Sequence, residues 1–315
     1  MDQTSHHIFL NTSSGTAATL GVRPEQLVTR FSELGLSVSI DADRTRPFVE
    51  RLATARNSAA PVLVAAGGDG TVTALAEVAM QSGKRLAVLP LGTANLLARD
   101  LAIPLDIDAW FESYGDAVPK RIDVGELNGR VFLHNAVLGA IPGIAGAREH
   151  LRGRRDLAAT IGFFRHFVHR LSRLRRFAVE VTPGHGEPHI ERVQSIAVVN
   201  NAYDEGPGRF FSRAKLDQGT LSLHLLRHLS VMDSLRLGLR MLLGSWRQDD
   251  VLEIKAVRSV VIRPRRPRVR VMMDGEIEMM ESPLAFRLLP LALTVMAPPD
   301  ETTEPVPDID TAAGA

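Results

Sequence analysis

Residues 63–75 read LVAAGGDGTVTAL. An apolar run passes into three glycines and an aspartate, then a threonine, and continues with helical periodicity. At the carboxyl end of a strand, Gly67, Gly68 and Gly70 let the backbone turn tightly and come close to a ligand, because no Cβ stands in the way. The helix that follows offers unpaired N–H groups and the positive end of its dipole, so phosphate is the natural guest. Thr71 is placed to cap that helix or to donate to a phosphate oxygen, and Asp69 puts a carboxylate where it can serve a metal ion or a ligand hydroxyl. A strand-to-helix turn in which both residues are caps and nothing more fits this stretch equally well.

Two further turns of the same kind weigh against that plainer reading. LPLGTANLLARDL (89–101) runs from a strand through Gly92, Thr93 and Asn95 into a helix, and the first strand ends in LNTSSG with Asn11, Thr12, Ser13, Ser14 and Gly15. Three phosphate-friendly turns at the ends of three strands of one sheet describe a nucleotide site. None is a Walker lysine loop and none matches GxGxxG.

Around these turns, 7–11, 36–40, 61–66 and 86–90 read as strands, with helical patterns near 24–34, 45–57 and 72–82. The alternation predicts crossovers, a mostly parallel sheet and ligands at its carboxyl ends, hence an α/β domain over 1–118. Beyond 118 the rhythm changes. KRIDVGELNGRVFLHNAVLG (120–139) reads as strands around an NG turn, and SIAVVNNAYD, GTLSLHLLR, VRSVVIRP and RVRVMMDGE follow as further strands. This is a second, β-rich domain over 119–287, interrupted by helical stretches near 143–176 and 229–246. Residues 288–300 are expected to return to the first domain, and the acidic, proline-rich 301–315 to be disordered.

Composition narrows the function classes. With 315 residues, 45% hydrophobic and 23% charged, the chain can bury two cores, and a net charge of +1 gives no global pull toward nucleic acid or membrane. The absence of cysteine excludes disulfides, a thiol nucleophile and thiolate metal sites. No apolar span reaches about 18 residues and the first residues lack a signal pattern, so a cytoplasmic protein is expected. Arginine is concentrated locally. Residues 148–176 hold nine arginines against Glu149 and Asp156, interleaved with Phe163, Phe164, Phe167 and Leu171, as in a helix lying on an anionic membrane surface or one packed on its own domain. RPRRPRVR (263–270) is a second cluster. Nucleic acid is not expected as a partner, because aromatics make up only 5% and no nucleic-acid module appears. His6, His7, His166 and His169 lack metal partners in the sequence.

GGDGT (67–71), GTANLLAR (92–99) and DGE (274–276), with the Asn–x–x–Ser–Gly start at 11–15, resemble the diacylglycerol kinase catalytic-domain family of bacterial lipid kinases, kin to sphingosine and ceramide kinases. IDVGELNGRVFLHNAVLG and AKLDQGTLSL look like that family's second-domain landmarks in the right order. The resemblance implies an α/β nucleotide-binding domain similar to NAD kinases and phosphofructokinases, plus a β-sandwich domain bearing the lipid site. It implies ATP, with Mg2+, held by Asn11 to Gly15, by Gly67, Gly68, Asp69, Gly70, Thr71, Val72 and Thr73, and by Gly92, Thr93 and Asn95. The γ-phosphoryl group would go to a hydroxyl of a diacylglycerol-like or sphingoid lipid at the inner membrane face. Glu276 is expected to be the base, Asp274 is its close competitor, and Asp69 would assist charge neutralisation.

Two positions depart from the family's pattern. Leu96 follows Asn95 where an acid is usual. The family's structural magnesium loop would comprise Lys215, Asp217, Gln218 and Thr220, with Gln218 in the place of an acid, which weakens the site for a hard dication. An NAD kinase-like soluble kinase, which shares GGDGT, and a nucleotide- and lipid-binding protein without catalysis are the competing readings.

Overall fold

The amino-terminal strands line up because their side chains are apolar on both faces. In the computed structural model, which describes residues 5–11, 22–139, 176–184, 186–206, 212–227, 230–243 and 245–299, β1 (His6–Leu10), α1 (Pro24–Glu33), β2 (Val38–Asp41), α2 (Phe48–Asn57), β3 (Val62–Gly67), α3 (Asp69–Ser82) and β4 (Arg85–Pro90) alternate along the chain. β1 and β3 are buried throughout, as expected of parallel strands covered on both faces. The parallel order is β2-β1-β3-β4, and the carboxyl ends of β1, β3 and β4 lie side by side. His6 and His7 face the interior of this layer. His6 Nε2 meets the Tyr114 hydroxyl at 2.9 Å and His7 Nδ1 meets Ser39 Oγ at 2.8 Å.

The chain continues through α4 (Leu96–Asp100), α5 (Ile107–Tyr114), β5 (Val118–Leu127), β6 (Arg130–Phe132), β7 (Asn135–Leu138), β8 (Phe177–Pro183), β9 (His189–Val193), β10 (Ser195–Asn200) and β11 (Leu221–Leu226). After α6 (Val231–Leu243) come β12 (Leu252–Val257), β13 (Ser259–Pro264), β14 (Arg268–Met273), β15 (Glu276–Glu281) and β16 (Leu284–Ala297). β12-β11-β10-β7-β14-β15 form a six-stranded antiparallel sheet. Its inner residues, among them Leu138, Val198, Leu223 and Val271, pack against Val181, Val260, Ile262 and Phe286 of the strands opposite. This is a β-sandwich built on an α/β layer.

β16 joins the two layers. Leu284 and Phe286 lie in the sandwich core, whereas Leu293, Val295 and Ala297 lie in the α/β core. Between them the pairing with β5 shifts register at Leu289/Leu293, and Leu291 adopts φ 47°. The carboxyl half of β16 lies parallel to β4 at Val295–Leu86, so the last described strand extends the first sheet, which runs on through β13, β8 and β9. The basic helical stretch at 143–175, the Thr12–Gly15 turn and the tail at 301–315 lie outside the described residues. Among the described residues, no helix is long and apolar enough to cross a membrane.

Candidate active site

The glycine turns at the ends of β3 and β4 interlock. A Cβ on Gly92 would lie 2.5 Å from Gly68 Cα, so the two turns touch where a side chain would force them apart. The GTAN turn is closed by Asn95, whose Oδ1 accepts from Gly92 N–H at 2.9 Å and whose Nδ2 donates to the Gly92 carbonyl at 2.8 Å. Asn95 adopts φ 50° for this, a left-handed conformation that asparagine tolerates. Asp69 joins the turns. Its Oδ2 accepts the Asn95 N–H at 3.0 Å and its Oδ1 the Leu96 N–H at 2.6 Å. The sequence offered Asp69 for a metal or a hydroxyl, and the structure puts both its oxygens on the amino end of α4. Leu96 thus contributes its N–H where the family has an acid. Thr71, read as a cap or phosphate donor, is buried, and its hydroxyl accepts from Asn11 Nδ2 at 2.9 Å, tying β1 to the turn after β3. Thr93 is exposed beside them.

The other wall is the β14–β15 hairpin. Asp274 and Gly275 form its two-residue turn, with φ of 47° and 99°. The backbone of DGE is thus a hairpin turn, but only one of its two acids is left to solvent. The Asp274 carboxylate accepts from the backbone N–H groups of Leu133 at 2.7 Å, His134 at 2.8 Å and Asn135 at 3.0 Å, and from the Thr73 hydroxyl at 3.0 Å. Burial pushes its pKa up, and the four hydrogen bonds oppose that shift. With every donor aimed at it, Asp274 is a fixture that carries the hairpin onto α3 through Thr73. Glu276, two residues on, is exposed. A Cβ on Gly70 would lie 2.4 Å from Glu276 Oε1, so the absence of a side chain at Gly70 makes room for that carboxylate. Thr73, grouped with the ATP contacts in sequence, belongs to this crossing.

A cleft of about 770 Å³ separates the two walls, running from Glu276 and Glu278 past Gly68–Thr71 to Leu52 and Arg56 of α2. Arg130 lies on it and pairs with Glu278. Behind the cleft, Asp100 at the end of α4 grips Arg213. Asp100 Oδ2 accepts from Arg213 Nη2 at 2.6 Å and Nε at 3.0 Å, and Arg213 Nη1 donates to the carbonyls of Leu133 at 2.8 Å and Asn200 at 2.7 Å. Arg213 is fully buried. It therefore holds the carbonyl of the residue whose N–H binds Asp274. Sequence reasoning missed Arg130, Asp100 and Arg213. Asp100 and Arg213 lie 113 positions apart with no local pattern linking them.

The Lys215–Thr220 loop closes without a cation. Gln218 Nε2 donates to the Lys215 carbonyl at 3.2 Å, Gln218 N–H donates to Asn201 Oδ1 at 3.0 Å, and Gly219 N–H donates to the buried Asp123 Oδ2 at 2.7 Å. An amide donor thus occupies the carbonyl a metal would need, and Asp217 is exposed on the loop. These residues do not fit a structural magnesium. Among the described residues, no cluster of three or more histidine or acidic side chains is arranged to hold a metal. At the cleft, Asp69 and Glu276 alone are too few for magnesium and fit one only together with phosphate oxygens.

The chain matches two family descriptions in succession: the diacylglycerol kinase catalytic domain over residues 5–127, and the YegS C-terminal NAD kinase beta sandwich-like domain over residues 146–297. Its first part thus carries a diacylglycerol kinase catalytic domain and its later part a YegS-type C-terminal domain. A Pseudomonas aeruginosa protein named "Probable lipid kinase YegS-like" is 32% identical over 203 residues, 62% of this chain and 63% of that protein. A Pseudomonas syringae pv. tomato protein of the same name is 35% identical over 127 residues, 40% of this chain and 38% of its own. The aligned stretch thus spans less than two thirds of these relatives. A crystal structure of a diacylglycerol kinase from Bacillus anthracis str. Sterne superposes with a TM-score of 0.65 at 19% identity, covering 95% of this chain and 98% of that one, which shows the shared fold.

Proposed function

We propose that the protein is an ATP-dependent lipid kinase that transfers the γ-phosphoryl group to a hydroxyl of a diacylglycerol-like or sphingoid lipid at an anionic membrane surface. The observation that carries this reading is the Glu276 carboxylate resting on Gly70, a base from one wall of the cleft set against the phosphate-type turn of the other. The glycine turn before α3 and the exposed Thr93 of the Gly92–Asn95 turn bind and orient the polyphosphate, the Gly92 and Asn95 N–H groups being engaged in holding the turns. Glu276 accepts the proton of the lipid hydroxyl as its oxygen bonds to the γ-phosphorus. The bond from that phosphorus to the bridging oxygen breaks, and ADP leaves with the electron pair. Magnesium travelling with the nucleotide supplies neutralisation of the phosphate charge. Asp69 holds the two turns at a fixed spacing, and Asp274 holds Glu276 opposite them.

Incubation with γ-labelled ATP and separate pools of diacylglycerol, sphingoid base and NAD tests the reading. Label is expected in a lipid phosphate. Label in NAD alone, or ATP binding with no transfer to any pool, overturns it.

A further inference from the structure

The β14–β15 hairpin sorts its charges by face. Glu276 and Glu278 point into the cleft, and Met280 continues that face into the sandwich core. The pairing Arg270–Met279 and Met272–Ile277 sets the other face outward. There Ile277 is 58% and Met279 59% exposed, on a strand at the edge of its sheet. Arg265 and Arg266, in the turn before β14, and Arg270 on β14 are exposed, and among the described residues no acid pairs with any of the three. The one acid that β15 itself places on this face, Glu281, is taken by Arg268 at 2.9 Å. Two apolar side chains on an edge strand, with Arg270 beside Met279 and Arg265 and Arg266 past the far end of β14, are a liability for a soluble surface and suited to an anionic interface.

We propose that the outward face of the β14–β15 hairpin, Ile277 and Met279 with Arg265, Arg266 and Arg270, is where the protein docks on an anionic lipid bilayer. The charge complementarity selects the bilayer over a second copy of the chain, whose identical face would bring arginine against arginine. The choice of a bilayer rests on the lipid-kinase reading, but binding can be measured without catalysis.

The test is flotation of the full chain with phosphatidylcholine vesicles with or without phosphatidylglycerol. The parent chain is expected to float only with the anionic vesicles and to be released by salt. R265E/R266E/R270E should lower partitioning at least about a hundredfold, at about fivefold for each arginine removed. R265Q/R266Q, a milder change should the triple variant fold poorly, should lower it about twenty-five-fold. I277S/M279S should lower partitioning into the anionic vesicles at low salt as well, and transfer to a short-chain lipid dispersed as monomers should stay at the parent rate in all variants. Undiminished flotation of the arginine variants overturns the proposal, as does a dimer in sedimentation that I277S/M279S abolishes. If anionic vesicles bind as expected but no lipid is ever phosphorylated, the docking face stands and the lipid-kinase reading falls.

Discussion

The two walls of the cleft are built by opposite means. The glycine wall holds itself together within a short span, with Gly68 against Gly92, Asn95 closed on Gly92, and Asp69 capping α4. The hairpin wall depends on partners drawn from afar. Asp274 reaches Leu133–Asn135 and Thr73, and Arg213 clamps Leu133 from behind while bound to Asp100. One wall is preorganised mainly by two strand-to-helix turns of adjacent strands, the other by hydrogen bonds from segments more than a hundred residues away. Two acids one residue apart can therefore do different work: Asp274 spends its lone pairs on architecture, and Glu276 keeps a carboxylate exposed at the cleft.

Separating those two acids is the largest expected effect. Glu276→Gln should lower kcat about a hundred- to ten-thousandfold while leaving ATP binding and Tm near the parent values. Asp274→Asn turns an amide donor toward the backbone donors, so it should lower kcat about a hundredfold through a misplaced Glu276 and also cost about 2 kcal/mol of stability. Equal Tm values for the two variants would erase the distinction between fixture and base. Gly70→Ala tests the contact between the walls. Its Cβ would displace the Glu276 carboxylate and lower kcat about tenfold with little change in Tm.

Smaller effects compare the lobes under acid. Burial lowers the pKa of His6, in the α/β layer, to about 4 and that of His224, in the sandwich, to about 3. Both stay neutral in the folded protein, whereas the unfolded chain takes up protons near pH 6.5. The stability they contribute is complete above that pH and falls by about 1.4 kcal/mol per pH unit for each histidine as pH drops toward the folded values. Urea melts stepped down from neutral pH should show this slope, and His6→Asn and His224→Asn should each remove one share. The smallest effect is none: a chelator should leave the Tm of the nucleotide-free protein unchanged, because Gln218 closes the Lys215–Thr220 loop with its own amide.

The glycine wall was legible in sequence because its logic is local. A strand, a glycine turn and a helix are neighbours along the chain, and GTAN closes on itself within three positions, although Asp69 and Thr71 of GGDGT find their partners at Asn95, Leu96 and Asn11. The expected strands at 61–66 and 86–90 lie within one or two residues of β3 and β4. DGE was legible as a pair of acids with Glu276 preferred to Asp274 as the base, but their surroundings could not be told apart. Nothing in residues 274–276 reveals that three backbone N–H groups from 133–135 point at the first acid and at no oxygen of the second.

The sequence by itself therefore determined the two layers, the phosphate-type turns and the residues that could act, since periodicity and backbone freedom are properties of short stretches. Only the tertiary structure decided which acid is fixed and which is exposed, that Asp100 and Arg213 brace the hairpin, and that the hairpin turns its arginines away from the cleft. These outcomes depend on long-range pairing and burial, and a carboxylate's role is set by which donors surround it once the chain has closed.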